Sequence, residues 1–326
     1  MPKRSSPRKV SDSLRLVLPA TSANLGPAFD AAALAFNLFL EVDARLSDDF
    51  AVVARGRDAE ICGAKQDHLI LTTYQDVLRA EGKQTVPLAL AIDNQMPIGK
   101  GCGSSAAARL AGIALAVHFG KLRWTDEQIV GEASRREHHP DNAAACWYGG
   151  LAVARLSEKD EAIVANVRPK SKWPLLLAVP PESLPTEQAR RVLPAHYLRS
   201  DAVNNVQNSM LLLAAFTQGR HDLLKSVLED RMHQPYRAEL CPLLPALQRL
   251  SGRDGILGAV LSGAGPSVLM FLDPRANVAR AKKTIASHLQ AANLMAELFS
   301  AEITHAGGRD GGDWKRKQGG IARRRS

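Results

Sequence analysis

Glycines at 99, 101 and 103, with Ser104 and Ser105 directly behind them, stand at the mouth of an alanine-rich run, "PIGKGCGSSAAARLAGIALA" (97–116). Glycines so spaced can turn successive backbone N–H groups into one concavity. A helix opening at Ser104 adds unpaired N–H groups and a partial positive charge. This arrangement suits the cradling of an anion, a triphosphate included. A tight strand-to-helix turn that binds nothing uses the same residues, so the loop alone leaves both readings open. It is not G-x-x-x-x-G-K-[ST], because Lys100 lies inside the loop and no lysine follows the last glycine; nor is it G-x-G-x-x-G. Titratable residues also cluster in "REHHPDNAAACWYGGLAV" (136–153). Adjacent histidines at 138 and 139 do not readily face one ion, so the pair is not read as a metal site.

Several elements must position these residues. Strands are expected at 14–20, 34–46, 50–56 and 87–93, and a helix over 66–81 from the spacing of Leu69, Thr72, Thr73, Val77 and Leu78. A long helix is expected from Ser104 to about His118, ended by Gly120. A second opens at Thr125, which with Gln128 forms a capping box, and Pro140 stops it. Beyond Gly150 come three short strands, then helices over 201–217, 220–229 and about 276–292. A strand, glycine turn and strand occupy 256–272. Strand clusters without regular βαβ alternation point to an α+β fold rather than a doubly wound sheet. The polar stretch "RPKSKWP" marks a boundary near 165–172.

The chain has 326 residues, long enough for one large domain or two ordinary ones. Its net charge of +9 dissolves on inspection: Lys3, Arg4, Arg8, Lys9, Lys315, Arg316, Lys317, Arg323, Arg324 and Arg325 lie in terminal segments that read as disordered tails, 1–12 and 307–326. What remains is close to neutral, which argues against a nucleic-acid face. No stretch approaches a membrane span and no apolar segment follows the basic N-terminus, so a cytoplasmic protein without membrane or nucleic-acid partners is expected. Four scattered cysteines without CxxC spacing fit free thiols in a reducing compartment.

The 97–107 loop resembles the ATP-phosphate loop of the GHMP kinases, and other segments narrow the resemblance. "LPATSANLGPAFD" (18–30) is similar to the P-A-T-S-A-N-L-G-P-G-F-D motif of homoserine kinases, with Ala28 where glycine is usual. "REHHPDNAAACWYGGLAV" resembles their E-G-H-P-D-N segment, with His138 in the glycine position. "LPTEQARRVLP" (184–194), "EDRMHQPYRAELCP" (229–242) and "GAVLSGAGPSVLMF" (258–271) match further family segments in order. The resemblance covers about residues 14–305.

It implies a two-lobed, α+β, GHMP-kinase-like fold with nucleotide and substrate between the lobes: an N-terminal ATP-binding lobe at 13–168 and a C-terminal lobe at 169–306. It implies phosphoryl transfer from ATP, with Mg2+, to the hydroxyl of L-homoserine, a step toward threonine. ATP would be cradled by Pro97, Ile98, Gly99, Lys100, Gly101, Cys102, Gly103, Ser104, Ser105, Ala106 and Ala107. Ser105 and Glu137 would contact the metal, and Asp141 and Asn142 would hold the reacting hydroxyl. Asn24, Asp30, Asp141, Thr186, Arg190 and Arg237 would bind the substrate. A zwitterion needs cationic, preferably bidentate donors for its carboxylate, which Arg190 and Arg237 offer, and acceptors for its ammonium, which Asn24 and Asp30 offer. The resemblance leaves room for a homodimer. A mevalonate- or sugar-type member would keep the loop but not the paired arginines. A non-catalytic relative would be expected to lack Glu137 or Asp141.

Overall fold

The computed structural model describes residues 12–64 and 66–314. One sheet has the order β3-β4-β2-β5-β6, with β1 paired along β2. Its strands are β1 (Ser13–Asn24), β2 (Ala28–Leu46), β3 (Ala51–Gly56), β4 (Leu88–Asn94), β5 (Leu151–Leu156) and β6 (Ala162–Val167). A second, antiparallel sheet runs β10-β7-β9-β8. It comprises β7 (Pro174–Val179), β8 (Ile256–Leu261), β9 (Val268–Leu272) and β10 (Glu297–Glu302).

Helices α1 (Ala59–Gly63) and α2 (Leu69–Ala80) lie between β3 and β4. Three more, α3 (Ser104–Phe119), α4 (Asp126–Glu137) and α5 (Asp141–Tyr148), fill the stretch from β4 to β5. Between β7 and β8 come α6 (Thr186–Arg191), α7 (Arg199–Gln218), α8 (Leu224–Val227), α9 (Gln234–Arg237) and α10 (Leu243–Gln248); α11 (Val278–Ala291) precedes β10. Among the described residues no helix is long and apolar enough to cross a membrane.

The two sheets share a core. Leu175, Leu177, Leu269 and Phe271 of the second sheet face the cluster built by α2, α3, α5 and the first sheet. Their strand neighbours Leu176, Ala178, Val268 and Met270 face a separate cluster with α10 and α11. A strand's side chains alternate, so a sheet buried on both faces reads as a continuous apolar run, which "LLLAV" does.

Four expectations needed correction. Pro140 does end α4, yet α5 begins at the next residue. Proline lacks an N–H and so costs nothing at a helix start. All eight residues of α5 are buried, so no amphipathic period announces it. The expected helix at 220–229 is reduced to a 3-10 turn, His221–Leu223, and the short α8. There the chain must deliver the Asp230 carboxylate to the N–H groups of Met232, His233 and Gln234, which open α9. The expected start of β2 was six residues late. Finally, 307–314 is no tail. Gly308 N donates to Cys146 O at 2.9 Å, and Trp314, 5% exposed, stands edge-on to Trp147. Gly307 and Gly311 serve close approach there, since a Cβ would strike Trp147 O or Val17 O. The rest of the proposed tails, 1–11 and 315–326, lies outside the described residues.

Candidate active site

Gly99, Gly101 and Gly103 all take positive φ (69°, 79° and 69°), and α3 starts directly after them. A Cβ on Gly101 would collide with Ser262 O, and one on Gly103 with Thr21 Oγ1, so glycine is required at both. No side chain caps α3, which leaves its first N–H groups to a ligand or water. Gly99, Gly101, Gly103, Ser104 and Ser105 line the cleft above the loop. Ile98 lines a neighbouring chamber. Pro97, Cys102, Ala106 and Ala107 are buried and line neither; they set the turn and pack the helix. The Lys100 side chain leaves the loop altogether and donates to Pro180 O and Pro181 O.

Ser105 Oγ donates to Glu137 Oε1 at 2.6 Å, and Arg109 Nε donates to the same oxygen at 2.5 Å. Glu137 ends α4, and His138 follows it in the left-handed conformation (φ 66°), the conformation that glycine supplies without strain. The residue at 28 tells the opposite story: Ala28 is not among the positive-φ residues and simply begins β2. The left-handed turn is carried instead by Asn24, Leu25, Gly26 and, further on, Asp30.

Asp141 sits at the start of α5, 1% exposed, and its Oδ1 accepts from Asn142 N at 2.6 Å. His139 Nδ1 lies 2.6 Å from that same oxygen and, facing a carboxylate, is the protonated nitrogen. Burial pushes the His139 pKa down, but the Asp141 charge and hydrogen bond, with Asp30 and Glu137 nearby, raise it above its ordinary value. Asn142, which lines the cleft, is held through its Oδ1, which accepts from Thr21 Oγ1 at 2.7 Å. The sequence reading foresaw none of these supports.

At the other end of the cleft, Arg190 grips Asp30 through both Nη atoms at 2.8–3.0 Å. Arg237, 1% exposed, donates from Nε to Ala189 O at 3.0 Å and from Nη1 to His233 Nδ1 at 3.1 Å. Burial, then the Arg190 charge, lowers its pKa. His233 accepts there, so it must donate from Nε2 to Gly26 O, 2.7 Å away, and is neutral. Burial, foremost, brings its pKa down to about 4. Phe29 stacks on His233 and lies beneath both guanidinium groups, with centroid distances of 5.7 Å to Arg190 and 5.5 Å to Arg237. Asn24 is committed to its turn: Nδ2 donates to Gly263 O, and Oδ1 accepts from Asp30 N.

One cleft brings together Asn24, Asp30, Asp141, Asn142, Thr186, Arg190 and Arg237 with Gly99, Gly101, Gly103, Ser104 and Ser105 of the loop. A second chamber adjoins it, sharing Gly99, Ser104 and Ser105 and walled by Ile61, His68, Ile70, Met96 and Ile98. Ligand atoms of Asp30, His139 and Asp141 also lie within 4.8 Å of one another. Asp30 is engaged by Arg190 and His139 by Asp141, so hydrogen bonding accounts for this grouping.

Residues 68–150 match the family described as GHMP kinases N terminal domain, and 212–291 match GHMP kinases C terminal. A homoserine kinase of Solibacter usitatus is 43% identical over 260 residues, 79% of this chain and 84% of that protein. One from Thermus thermophilus is 40% identical over 256 residues, 78% and 85% of the two chains. The crystal structure of homoserine kinase from Cytophaga hutchinsonii superposes with a TM-score of 0.76 at 24% identity, covering 93% of this chain and 99% of that one, which shows the fold. With relatives this similar over more than three quarters of its length, the chain belongs to the homoserine kinases among the GHMP kinases.

Proposed function

We propose that this homoserine kinase moves the γ-phosphoryl group of ATP to the hydroxyl of L-homoserine in the cleft just described, as a cytoplasmic enzyme. One observation carries the assignment of parts: a cationic and anionic pair, Arg190 and Asp30, and the buried Arg237 face the glycine loop across a single cleft. The apolar chamber beside the loop suits a nucleoside base, which leaves the phosphates to run over Gly99, Gly101, Gly103 and the α3 N-terminus. An incoming zwitterion offers its carboxylate to Arg190 and Arg237 and its ammonium to Asp30. It thereby replaces the Asp30–Arg190 pair, about one-third exposed, whose loss costs about 1 kcal/mol or less. Four free cysteines accord with a reducing compartment.

Ser105 and Glu137 are the residues that would hold Mg2+. Both present oxygen donors, which a hard cation prefers, and they meet beside the helix N-terminus. Bound there, the ion would neutralise phosphate charge. The chain's own groups do the positioning: Thr21 locks Asn142, His139 locks Asp141, and these two orient the hydroxyl. A loose transition state asks for such placement more than for a strong base.

The test is ADP release with homoserine, with 3-aminopropan-1-ol, which lacks the carboxylate, and with mevalonate. Homoserine is expected to be turned over and the other two poorly. Preference for mevalonate, or indifference to the carboxylate, overturns the assignment of Arg190 and Arg237.

A further inference from the structure

A lysine inside a glycine-rich phosphate loop invites the reading that it binds phosphate, but Lys100 spends its ammonium elsewhere. Its Nζ donates to two successive carbonyls, Pro180 O at 3.0 Å and Pro181 O at 2.8 Å, and Lys100 lines neither the cleft nor the adjoining chamber. Those carbonyls begin the segment that leaves β7 and leads into α6. This strap, 180–191, carries Thr186 and Arg190 over the cleft. Its far end is held by Arg190 on Asp30 and by Arg237 on Ala189 O. Its near end is held by Lys100 and by Leu184 N donating to Gly99 O at 3.3 Å, a long hydrogen bond. Prolines at 180, 181 and 185 stiffen the run between the two ends, so fixing the near end limits where Arg190 can go.

We infer that Lys100 is a positioning residue for the amino-acid substrate: it fastens the phosphate loop to the strap that carries Thr186 and Arg190. This rests on the functional reading above. The charge-assisted bonds to two carbonyls join an element of the nucleotide half to an element of the substrate half, so a change in one is felt in the other. Lysine suits the task because a flexible stem and three donors let one ammonium reach both carbonyls.

Lys100→Met keeps the stem and removes the donors. The expected result is a rise of about tenfold in KM for homoserine, with KM for ATP changed less than twofold and kcat lowered modestly. Lys100→Arg, still a donor, should restore most of the homoserine affinity, which a merely packing role would not require. A readout independent of turnover is amide exchange over 182–191 in the ligand-free protein, which should quicken in Lys100→Met and return toward wild type in Lys100→Arg. A tenfold loss in ATP affinity with homoserine affinity intact would make Lys100 a phosphate ligand and overturn the inference. Equal losses for both substrates, or unchanged exchange in the strap, would overturn it too. If wild type fails to phosphorylate homoserine, the functional reading falls, while the exchange measurement still decides whether Lys100 holds the strap. Should Lys100→Met not fold, Lys100→Leu, which also lacks a donor, is measured in the same way against the same outcomes.

Discussion

Asp30 and Arg190, 160 residues apart, close on each other in a two-pronged ion pair at 2.8 and 3.0 Å, joining the start of β2 to helix α6 across the substrate end of the cleft. Asp30 adopts φ 53° to do so, held by Asn24, which accepts its backbone N–H. Both side chains stay about one-third exposed, so the pair is strong enough to orient and weak enough to be exchanged.

Asp30→Asn removes the negative charge proposed to hold the substrate ammonium, leaving only a neutral carbonyl acceptor, and leaves the backbone turn its hydrogen bond. KM for homoserine should rise ten- to a hundredfold, the equivalent of about 1.5–3 kcal/mol for a charged hydrogen bond, with KM for ATP nearly constant. Steady-state kinetics with each substrate varied in turn decides it; an equal rise in both constants counts against the assignment.

Glu137→Gln should fold normally, because Gln can still accept from Ser105 and Arg109 through its carbonyl. Its neutral amide is a poorer partner for a hard cation. The magnesium concentration giving half-maximal rate should move up at least tenfold, read from ADP release across a magnesium titration. Unchanged magnesium dependence would remove Glu137 from the metal site.

His138 occupies the left-handed position after α4 with its side chain exposed, so it carries backbone strain and little packing. Left-handed backbone costs a non-glycine residue about 1–2 kcal/mol, part of which glycine returns as unfolded-state entropy. His138→Gly should therefore stabilise the protein by about 0.5–1 kcal/mol, visible as a higher midpoint in urea. A lower midpoint would mean the His138 side chain has a role that its exposure hides.

His233 is neutral and buried, with its folded-state pKa near 4 against an ordinary 6.5. Between those values the unfolded chain binds the extra proton, so stability rises with pH across the window and is lost as pH falls from 6.5 toward 4. Denaturation midpoints at pH 5 and pH 7 should differ less in His233→Gln than in wild type, although the variant is less stable at both.

Much of this site was legible in the sequence because its signals are local. Three alternating glycines before two serines specify a loop that turns through the left-handed region at each glycine (φ 69°, 79° and 69°), a conformation glycine adopts without strain. The Thr125–Gln128 capping box starts α4 where the residues said it would, because both partners lie within one turn. Arg190 and Arg237 stood out by their framing segments, and both line the cleft.

Tertiary structure alone decided what each side chain is paired with. Asp141 meets His139 because Pro140 folds the chain between two helices, and α5 is invisible to periodicity because it is buried on every side. Glycines 307 and 311 look like tail but serve close packing, with Trp314 closing over Trp147. Lys100 reads as a phosphate ligand in one dimension and reaches Pro180 and Pro181 in three. Backbone conformation is dictated by neighbours along the chain and can be read from them. A flexible charged side chain goes to whichever partners the fold brings within reach, and for Lys100 those partners are 80 and 81 residues away.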